Sequence, residues 1–439
     1  MAKILFITGD YYPNFSPNGS VIKNIIEELR NEHTVEVLAT KNNFNLENEA
    51  LYNNYKIHRV NNYFNMLHNY FVNKQKESSN TFKKNLYNIL LQIKRVTFFL
   101  FKLLNKNSIN NGLINTQIKE IKKIKKNFDF EFIIPIAMPY ENIISAVKYK
   151  KLNDNSVKIL PYQIDHFADS PTLHGNELSK KIKFRYNLNL ETYNMNQSDH
   201  YYIFPQIEKH IKKHHLDTLK KHKVTITEHP LLTEKINTNS SERSIFMENR
   251  INLLFSGMLN TKIRNPKYLL DMTLLIPNNN SINLNFFHVG NCESIINEYR
   301  KKLDDHLFNF GSVPLKQSFE GMVQADILIS LGVSKGNQVS GKIFDYFSTG
   351  KPIIHLYYFD EDPNLKYLNK YPLALCLKID YTIINEQSNK FYEFCINNVG
   401  KQLKFEEVEK IFNDATPKFV SKQFNSKIKE LTFSNTKSD

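Results

Sequence analysis

The chain has 439 residues, 41% of them hydrophobic and 23% charged, with a formal net charge of +14. That length exceeds what one core sustains, so two domains are expected, and the composition excludes a disordered or fibrous chain. Three widely spaced cysteines, Cys292, Cys376 and Cys395, show no CxxC and no zinc spacing, which excludes a disulfide framework and points to a reduced, cytoplasmic protein. The opening "MAKILFIT" is too short an apolar run for a secretory leader, and no run of about 18 apolar residues spans a membrane. The positive charge suits anionic partners: nucleic acid, nucleotide diphosphates or an anionic lipid surface.

"KILFIT" (Lys3–Thr8) reads as a buried strand, "SVIKNIIEELRN" as a helix with Val21, Ile22, Ile25, Ile26 and Leu29 on one face, and "TVEVLAT" (Thr34–Thr40) as the next strand. Strand, loop, helix and strand within about 40 residues open a parallel doubly wound sheet. Further strands are expected at Lys56–Val60, Phe130–Ile136, Val157–Ile164 and His200–Pro205. A second cycle starts near residue 250. "INLLFSG" (Ile251–Gly257), "INLNFFHVG" (Ile282–Gly290) and "ADILISLG" (Ala325–Gly332) each run into glycine, and "PIIHLYYF" (Pro352–Phe359) follows. Flexible backbone at the carboxyl edge of a parallel sheet is where open α/β folds bind ligands. The polar stretch Thr233–Ser244 marks the boundary.

Residues 71–127 depart from this pattern, with thirteen Lys/Arg and two acids, Glu77 and Glu120. Within them Leu86, Ile89, Ile93, Val96, Leu100 and Leu103 recur at helical spacing, interrupted by Lys94, Arg95, Lys102 and Lys106. A basic amphipathic helix of this kind lies in a membrane interface or, alternatively, turns its apolar face to a core. The runs Lys209–His215 and Lys220–Lys223 lack stacking aromatics and read as solvated helix faces, or as contacts to an anionic lipid surface, rather than as nucleic-acid sites.

"NQVSGKIFDYFSTGKPII" (Asn337–Ile354) carries the chemistry. Ser340 suits an N-cap and Gly350 a C′ position, so a helix is expected over Gly341–Thr349, with Pro352 blocking continuation. Its N–H groups and Lys342 suit a phosphate, and Asp345, one turn in, suits ribose hydroxyls. The same two side chains also suit a surface ion pair.

This stretch resembles the donor-binding segment of GT-B glycosyltransferases, in particular the retaining family 4-like enzymes with a Glu-x7-Glu motif running into a K-[IVL]-x-E-x4-G-K-P-like helix. Here Asp345 stands at the second acid and Asn337 eight residues earlier. The resemblance extends to "FSGMLNTKIRNPKYLL", where Arg264 or Lys262 would meet the diphosphate after the strand ending at Gly257, and to "FFHVGNCE" with Gly290. It includes "FGSVPLKQS", where the base would lie near Val313, and the N-lobe loop Asn18, Gly19 and Ser20. The final helix is similar to one that crosses back onto the N-lobe. His166, in "YQIDHFADS", would contact the donor sugar, with Asp165 beside it. "DED" (Asp360–Asp362) resembles a GT-A metal motif but reads as a surface turn. An NAD enzyme would need a G-x-G-x-x-G that "GDYYPNFSPNG" lacks.

The resemblance implies an α/β GT-B fold: two Rossmann-like lobes facing a central cleft, with an acceptor lobe over 1–235 carrying the 71–127 insertion, a donor lobe over 236–414 and a returning helix over 415–439. It implies a metal-independent transferase without cofactor, moving a sugar from a nucleotide-sugar to a glycan or lipid-linked hydroxyl with retention, in cell-surface polysaccharide synthesis. The alternatives are a nucleotide-sugar epimerase and a non-catalytic sugar-nucleotide or glycan-binding subunit. Peripheral contact with the inner membrane face is expected, and nucleic acid is not.

Overall fold

A computed structural model describes residues 1–13, 15–104, 107–170, 173–174, 177–220, 223–234, 245–247, 249–276, 281–335 and 339–435. The chain divides into two units, Met1–Pro230 with Pro417–Asp439, and Leu231–Thr416.

In the first unit, β1 (Lys3–Ile7), β2 (Thr34–Lys41), β3 (Glu49–Tyr52), β4 (Tyr55–Asn61), β5 (Phe132–Pro135) and β6 (Lys158–Ile159) form a sheet ordered β3-β4-β2-β1-β5-β6. All neighbours are parallel except β3, which is antiparallel to β4. After Lys3, β1 is buried on both faces, which is why it reads as a continuous apolar run. The β3–β4 hairpin turns through Asn53 and Asn54, both at positive φ (42° and 65°), the requirement of a two-residue primed turn that asparagine tolerates.

The single strand expected over Val157–Ile164 is two short ones. β6 pairs with β5, and β7 (Tyr162–Gln163) begins a parallel sheet with β8 (Tyr201–Ile203) and β9 (Val224–Ile226). Pro161 stands between the two; its carbonyl accepts from Tyr202 N at 2.8 Å, and a single parallel bridge from Tyr162 to Ile136 keeps the chain beside the end of β5.

The first helix starts earlier than expected, at Pro17. Ser16 Oγ accepts from Gly19 N at 3.0 Å and Pro17 sits at the first helical position, where its missing N–H costs nothing. Asn18, Gly19 and Ser20 therefore lie in the first turn of that helix, not in a loop. The basic segment forms an antiparallel pair, Tyr63–Glu77 and Thr81–Leu104, followed by the helix Asn111–Asn127, which buries Leu113, Ile114, Ile121 and Ile124. The final helix, Pro417–Asn435, belongs to the first unit. Phe424 stacks on Tyr202 with ring centroids 3.8 Å apart, and Asn425 Oδ1 lies 2.9 Å from His33 Nε2.

The second unit contains β10 (Ile251–Leu259), β11 (Ile282–Gly290), β12 (Leu307–Gly311), β13 (Ile327–Leu331), β14 (Ile353–Tyr357) and β15 (Ala374–Lys378). Their order is β12-β11-β10-β13-β14-β15, all parallel. Counted within the unit this is 3-2-1-4-5-6, the doubly wound order. Alternate residues of β10 feed opposite faces: Leu253 and Phe255 enter one core cluster and Leu254 the other, with Phe287, Phe344 and Phe347. β10 runs two residues past Gly257, which is paired inside the ladder with His288. β12 and β15 carry no strong strand signal and were not expected.

Candidate active site

Doubly wound sheets bind ligands at the carboxyl ends of the strands where the order reverses. In the second unit that point lies between β10 and β13. The loop after β10 closes on itself through Arg264 N to Asn260 O (2.9 Å) and Asn260 N to Arg264 O (3.0 Å). It is tied to the loop after β13, because Ser334 N donates to Ile263 O (2.8 Å) and Ser334 Oγ to Lys262 O (3.0 Å).

Of the two cations expected here, Lys262 is exposed and Arg264 turns inward. Burial pulls the Arg264 guanidinium below its ordinary range, while Tyr346 and Asp362 oppose that. Its Nε is buried with no hydrogen-bond partner among the described residues.

Asp362 corrects the surface-turn reading of "DED". Asp360 and Glu361 are exposed, but Asp362 is 3% exposed. Its Oδ1 accepts from Asn364 N and Asn364 Nδ2, both at 2.8 Å, and Asn364 Oδ1 in turn accepts from Ser340 N at 2.9 Å. Gly332, just after β13, makes this possible, since a Cβ there would stand 2.5 Å from Asp362 Oδ2.

The helix expected from Gly341 runs Lys342–Thr349, with Gly341 at the N-cap and no side-chain capping bond. Ser340 does not cap it: its N–H is committed to Asn364, and its carbonyl accepts from Ile343 N. With Ile343 N on Ser340 O and Phe344 N on Gly341 O, the amides of Gly341 and Lys342 are the ones left at the helix start for an anion. Gly350 ends the helix in the left-handed region, φ 69°. Lys342 Nζ lies 3.6 Å from Asp345 Oδ2, both side chains partly exposed.

The edge between β10 and β13 thus gathers Arg264, Ser340, Gly341, Lys342 and Asp345. Gly290 ends β11 at φ 123°, where a Cβ would stand 1.9 Å from Leu259 O, so only glycine fits. Val313 follows β12, at the far side of β11, packed against the Phe-rich cluster. Gly257 lies within its strand, and Asn337 and the stretch 235–244 fall outside the described residues.

In the first unit the reversal lies between β1 and β5. A cavity of about 340 Å³ opens there, lined by Thr8, Gly9 and Asp10 after β1, by Met138 and Pro139 after β5, and by Ser16, Asn18, Asp165 and His166. Gly9 permits the close approach of the two loops, since a Cβ would stand 2.6 Å from Met138 O. A second cavity of about 700 Å³ shares Asn62, Asn65, Ser108, Pro139, Glu141 and Leu173 with the first and is otherwise lined largely by apolar groups, among them Phe64, Phe98, Ile109 and Leu113.

Burial raises the Asp165 carboxyl, partly offset by the His166 N–H that donates to its Oδ1 at 2.8 Å. His166 Nδ1 lies 2.9 Å from Asp169 Oδ1, and Asp169 Oδ2 lies 3.1 Å from His210 Nδ1. His210 Nε2 is 2.7 Å from Glu191 Oε2, which His215 Nε2 also approaches at 3.1 Å, while Glu191 Oε1 accepts from Gln163 Nε2 at 2.8 Å. Burial would lower His210, but the ion pair with Asp169 and the N–H it donates to Glu191 outweigh it and raise it to about 9. Burial would raise Glu191, but His210, His215 and Gln163 hold it at about 2. The same competition, won by His166 and His210, holds Asp169 well below the usual carboxylate range.

Sequence reasoning missed Asp169, Glu191, His210 and His215. The last two sit in the run read as a solvated face. Its lysines, Lys209, Lys212 and Lys213, are exposed, while His210, Ile211 and His215 turn inward. Glu191, His210 and His215 are the group among the described residues with the composition of a metal site. Two nitrogens lie 2.7 and 3.1 Å from one oxygen, at N–H···O spacing.

No family model and no curated relative matches the sequence. Solved structures do. A sucrose-phosphate synthase from Thermosynechococcus elongatus aligns over 99% of this chain and 100% of its own at TM-score 0.62 and 11% identity. The lipopolysaccharide outer core galactosyltransferase WaaB aligns over 99% of both chains at TM-score 0.54 and 12% identity. A UDP-GlcNAc 2-epimerase from Neisseria meningitidis, bound to UDP-GlcNAc, aligns over 98% of this chain and 100% of its own at TM-score 0.53 and 11% identity.

The chain has the GT-B fold.

Within that GT-B fold both units show the doubly wound order; Arg264, Lys342 and Asp345 in the second and Asp165 and His166 in the first lie at the reversal, while Val313 does not. Among the described residues no helix is long and apolar enough to cross a membrane.

Proposed function

We propose that the protein is a glycosyltransferase that takes a nucleotide-sugar on its second unit and delivers the sugar, with retention, to a hydroxyl of a glycan or lipid-linked acceptor held by the first. The observation that carries this reading is the β10–β13 edge. Arg264, half-buried and with a buried Nε that has no partner among the described residues, stands on a loop bonded to the one after β13, and an uncapped helix start with Lys342 follows. Cationic side chains and helix-end dipoles fixed before the reaction stabilise a leaving diphosphate as its charge develops, and this needs no metal. Asp345 accepts from the ribose. His166 and Asp165 face the cavity of the first unit, where His166 meets the transferred sugar.

A lipid-linked acceptor is favoured by the largely apolar cavity of about 700 Å³ that adjoins the first. The Thr81–Leu104 helix supports a peripheral membrane position for the same synthesis of surface polysaccharide. Phe82, Leu86, Ile89, Ile93, Val96 and Leu100 recur every three or four residues and are all exposed, and the helix carries no acid. Lys94 is not part of that outward face: its Nζ lies 3.7 Å from the Phe64 ring centroid, and burial pushes it down to about 8. Of the other cations expected there, Arg95 is exposed, and the side chains of Lys102 and Lys106 fall outside the described residues.

The epimerase among the structures of this fold supports a second reading, chemistry on the donor alone. Incubating the protein with UDP-sugars separates the two. A transferase releases UDP slowly by hydrolysis, faster with acceptor, and Asp345→Ala abolishes the release. A changed sugar without acceptor would establish the epimerase, and no turnover of any nucleotide-sugar would leave a binding subunit.

A further inference from the structure

The groups behind His166 form a closed circuit. From the end of β7, Gln163 reaches Glu191 on the Glu177–Gln197 helix. Glu191 is hydrogen-bonded to His210 on the Glu208–His214 helix, His210 Nδ1 stands 3.1 Å from Asp169 Oδ2 as an ion pair outside hydrogen-bond angles, and Asp169 returns to His166, three residues after Gln163. The segment that bears the candidate catalytic pair is thereby stitched to two helices by charged groups. The side chains of Glu191 and His210 are 0% and 2% exposed.

Such an arrangement is costly unless every member is partnered. A lone buried carboxylate strongly disfavours folding, and so does a pair left with one member missing. Here His210 lies between two carboxylates, and His215, Gln163 and His166 fill positions around them. The far nitrogen of His215 is held as well, 3.3 Å from Thr192 Oγ1. A packing role alone would be met by apolar side chains of similar volume. An ionic circuit with one end on a cavity-lining imidazole fixes something more specific, namely which nitrogen of that ring carries the proton.

We propose that Asp169, His210 and Glu191 are positioning residues that hold His166 with its Nδ1–H on Asp169, so that its Nε2 faces the cavity as an acceptor for a substrate hydroxyl. This rests on the reading of His166 as a group that touches the transferred sugar. His210 acts at one remove: clamped by Glu191, it occupies Asp169 Oδ2 and leaves Oδ1 aimed at His166. A neutral imidazole with the opposite tautomer would point an N–H into the cavity and lose the acceptor.

The test needs no substrate. Long-range ¹H–¹⁵N spectra of the full chain labelled with ¹⁵N-histidine report the tautomer of each ring, and His166→Gln assigns the His166 signals. At a pH where His166 is neutral, the wild type is expected to show it as the Nδ1–H form. Asp169→Asn and His210→Gln are expected to convert it largely to the Nε2–H form or to a mixture, while the other histidines outside the circuit keep their signals. Asp169 is partly exposed, so Asp169→Asn provides the result should His210→Gln fail to fold. An Nε2–H form in the wild type, or His166 signals unchanged in either folded variant, overturns the proposal. Bound metal in the purified chain would overturn it too, since an ion on Glu191, His210 and His215 would displace the protons of the circuit. A UDP-induced rise in melting temperature, measured in parallel, reports on the second unit alone, so failure of the clamp and failure of the transferase reading are told apart.

Discussion

Replacing His210 by glutamine removes a cation that the fold holds far from its ordinary protonation range. His210 is raised from 6.5 to about 9 by Asp169 and Glu191 acting against burial. A gap of that size corresponds to roughly 3 kcal/mol. Because the folded value lies above the unfolded one, that stability is fully present below about pH 6.5 and disappears as pH rises through about 9. For a domain of 150–250 residues, 1 kcal/mol moves the melting temperature by about 2–4 °C. Calorimetry at pH 6.0 and pH 9.5 on wild type and His210→Gln therefore isolates the effect. The wild type is expected to lead the variant by about 6–12 °C more at pH 6.0 than at pH 9.5 in the transition of the first unit. Asp169 and Glu191 remain in both proteins but lose the hold of His210 in the variant, so the pH dependence of the gap reports His210 together with the two carboxylates that face it. A constant gap between the two proteins across that range would refute the buried imidazolium. Glu191 supplies the acid counterpart: held at about 2 against an ordinary 4.5, its contribution is present above pH 4.5 and lost as pH falls through 2.

Gly290→Ala places a Cβ 1.9 Å from Leu259 O at φ 123°, and is expected to destabilise the second unit by roughly 2 kcal/mol or more, read as a fall in its melting temperature. Ile89→Asn with Ile93→Asn is expected to weaken co-sedimentation with anionic liposomes while changing stability by less than about 0.5 kcal/mol, since both side chains are exposed; Lys94→Gln is expected to leave liposome binding intact. Asn364→Ala removes the acceptor of Ser340 N–H and one of the two donors to Asp362 Oδ1, and is expected to weaken nucleoside diphosphate binding by about tenfold in a titration.

The second unit was legible where its strands are buried on both faces, because β10, β11, β13 and β14 then read as runs dominated by apolar residues. β12, "LFNFG", and β15, "ALCLK", are short and only partly buried, and nothing in them outweighs the loop pattern around them. The first boundary moved because Ser16 and Pro17 started the first helix early. The candidate donor edge was legible because glycine and proline punctuate it. The burial of Asp362 was not, although Gly332 was its signal: a glycine directly after a strand leaves room for a side chain from elsewhere. The circuit behind His166 was hidden because its histidines are interleaved with lysines. With Ile211 the sole apolar residue of the Glu208–His214 helix, no periodicity marks its inner face.

Affinity for UDP, measured by calorimetric titration on wild type and on Arg264→Gln, tests the donor edge most directly. A charge-assisted hydrogen bond contributes about 1.5–3 kcal/mol, so the variant is expected to bind UDP about 10- to 150-fold more weakly, with its melting temperature otherwise retained. Equal affinity in the two proteins, or no UDP binding by the wild type, would contradict a diphosphate site at Arg264 and the start of the Lys342–Thr349 helix.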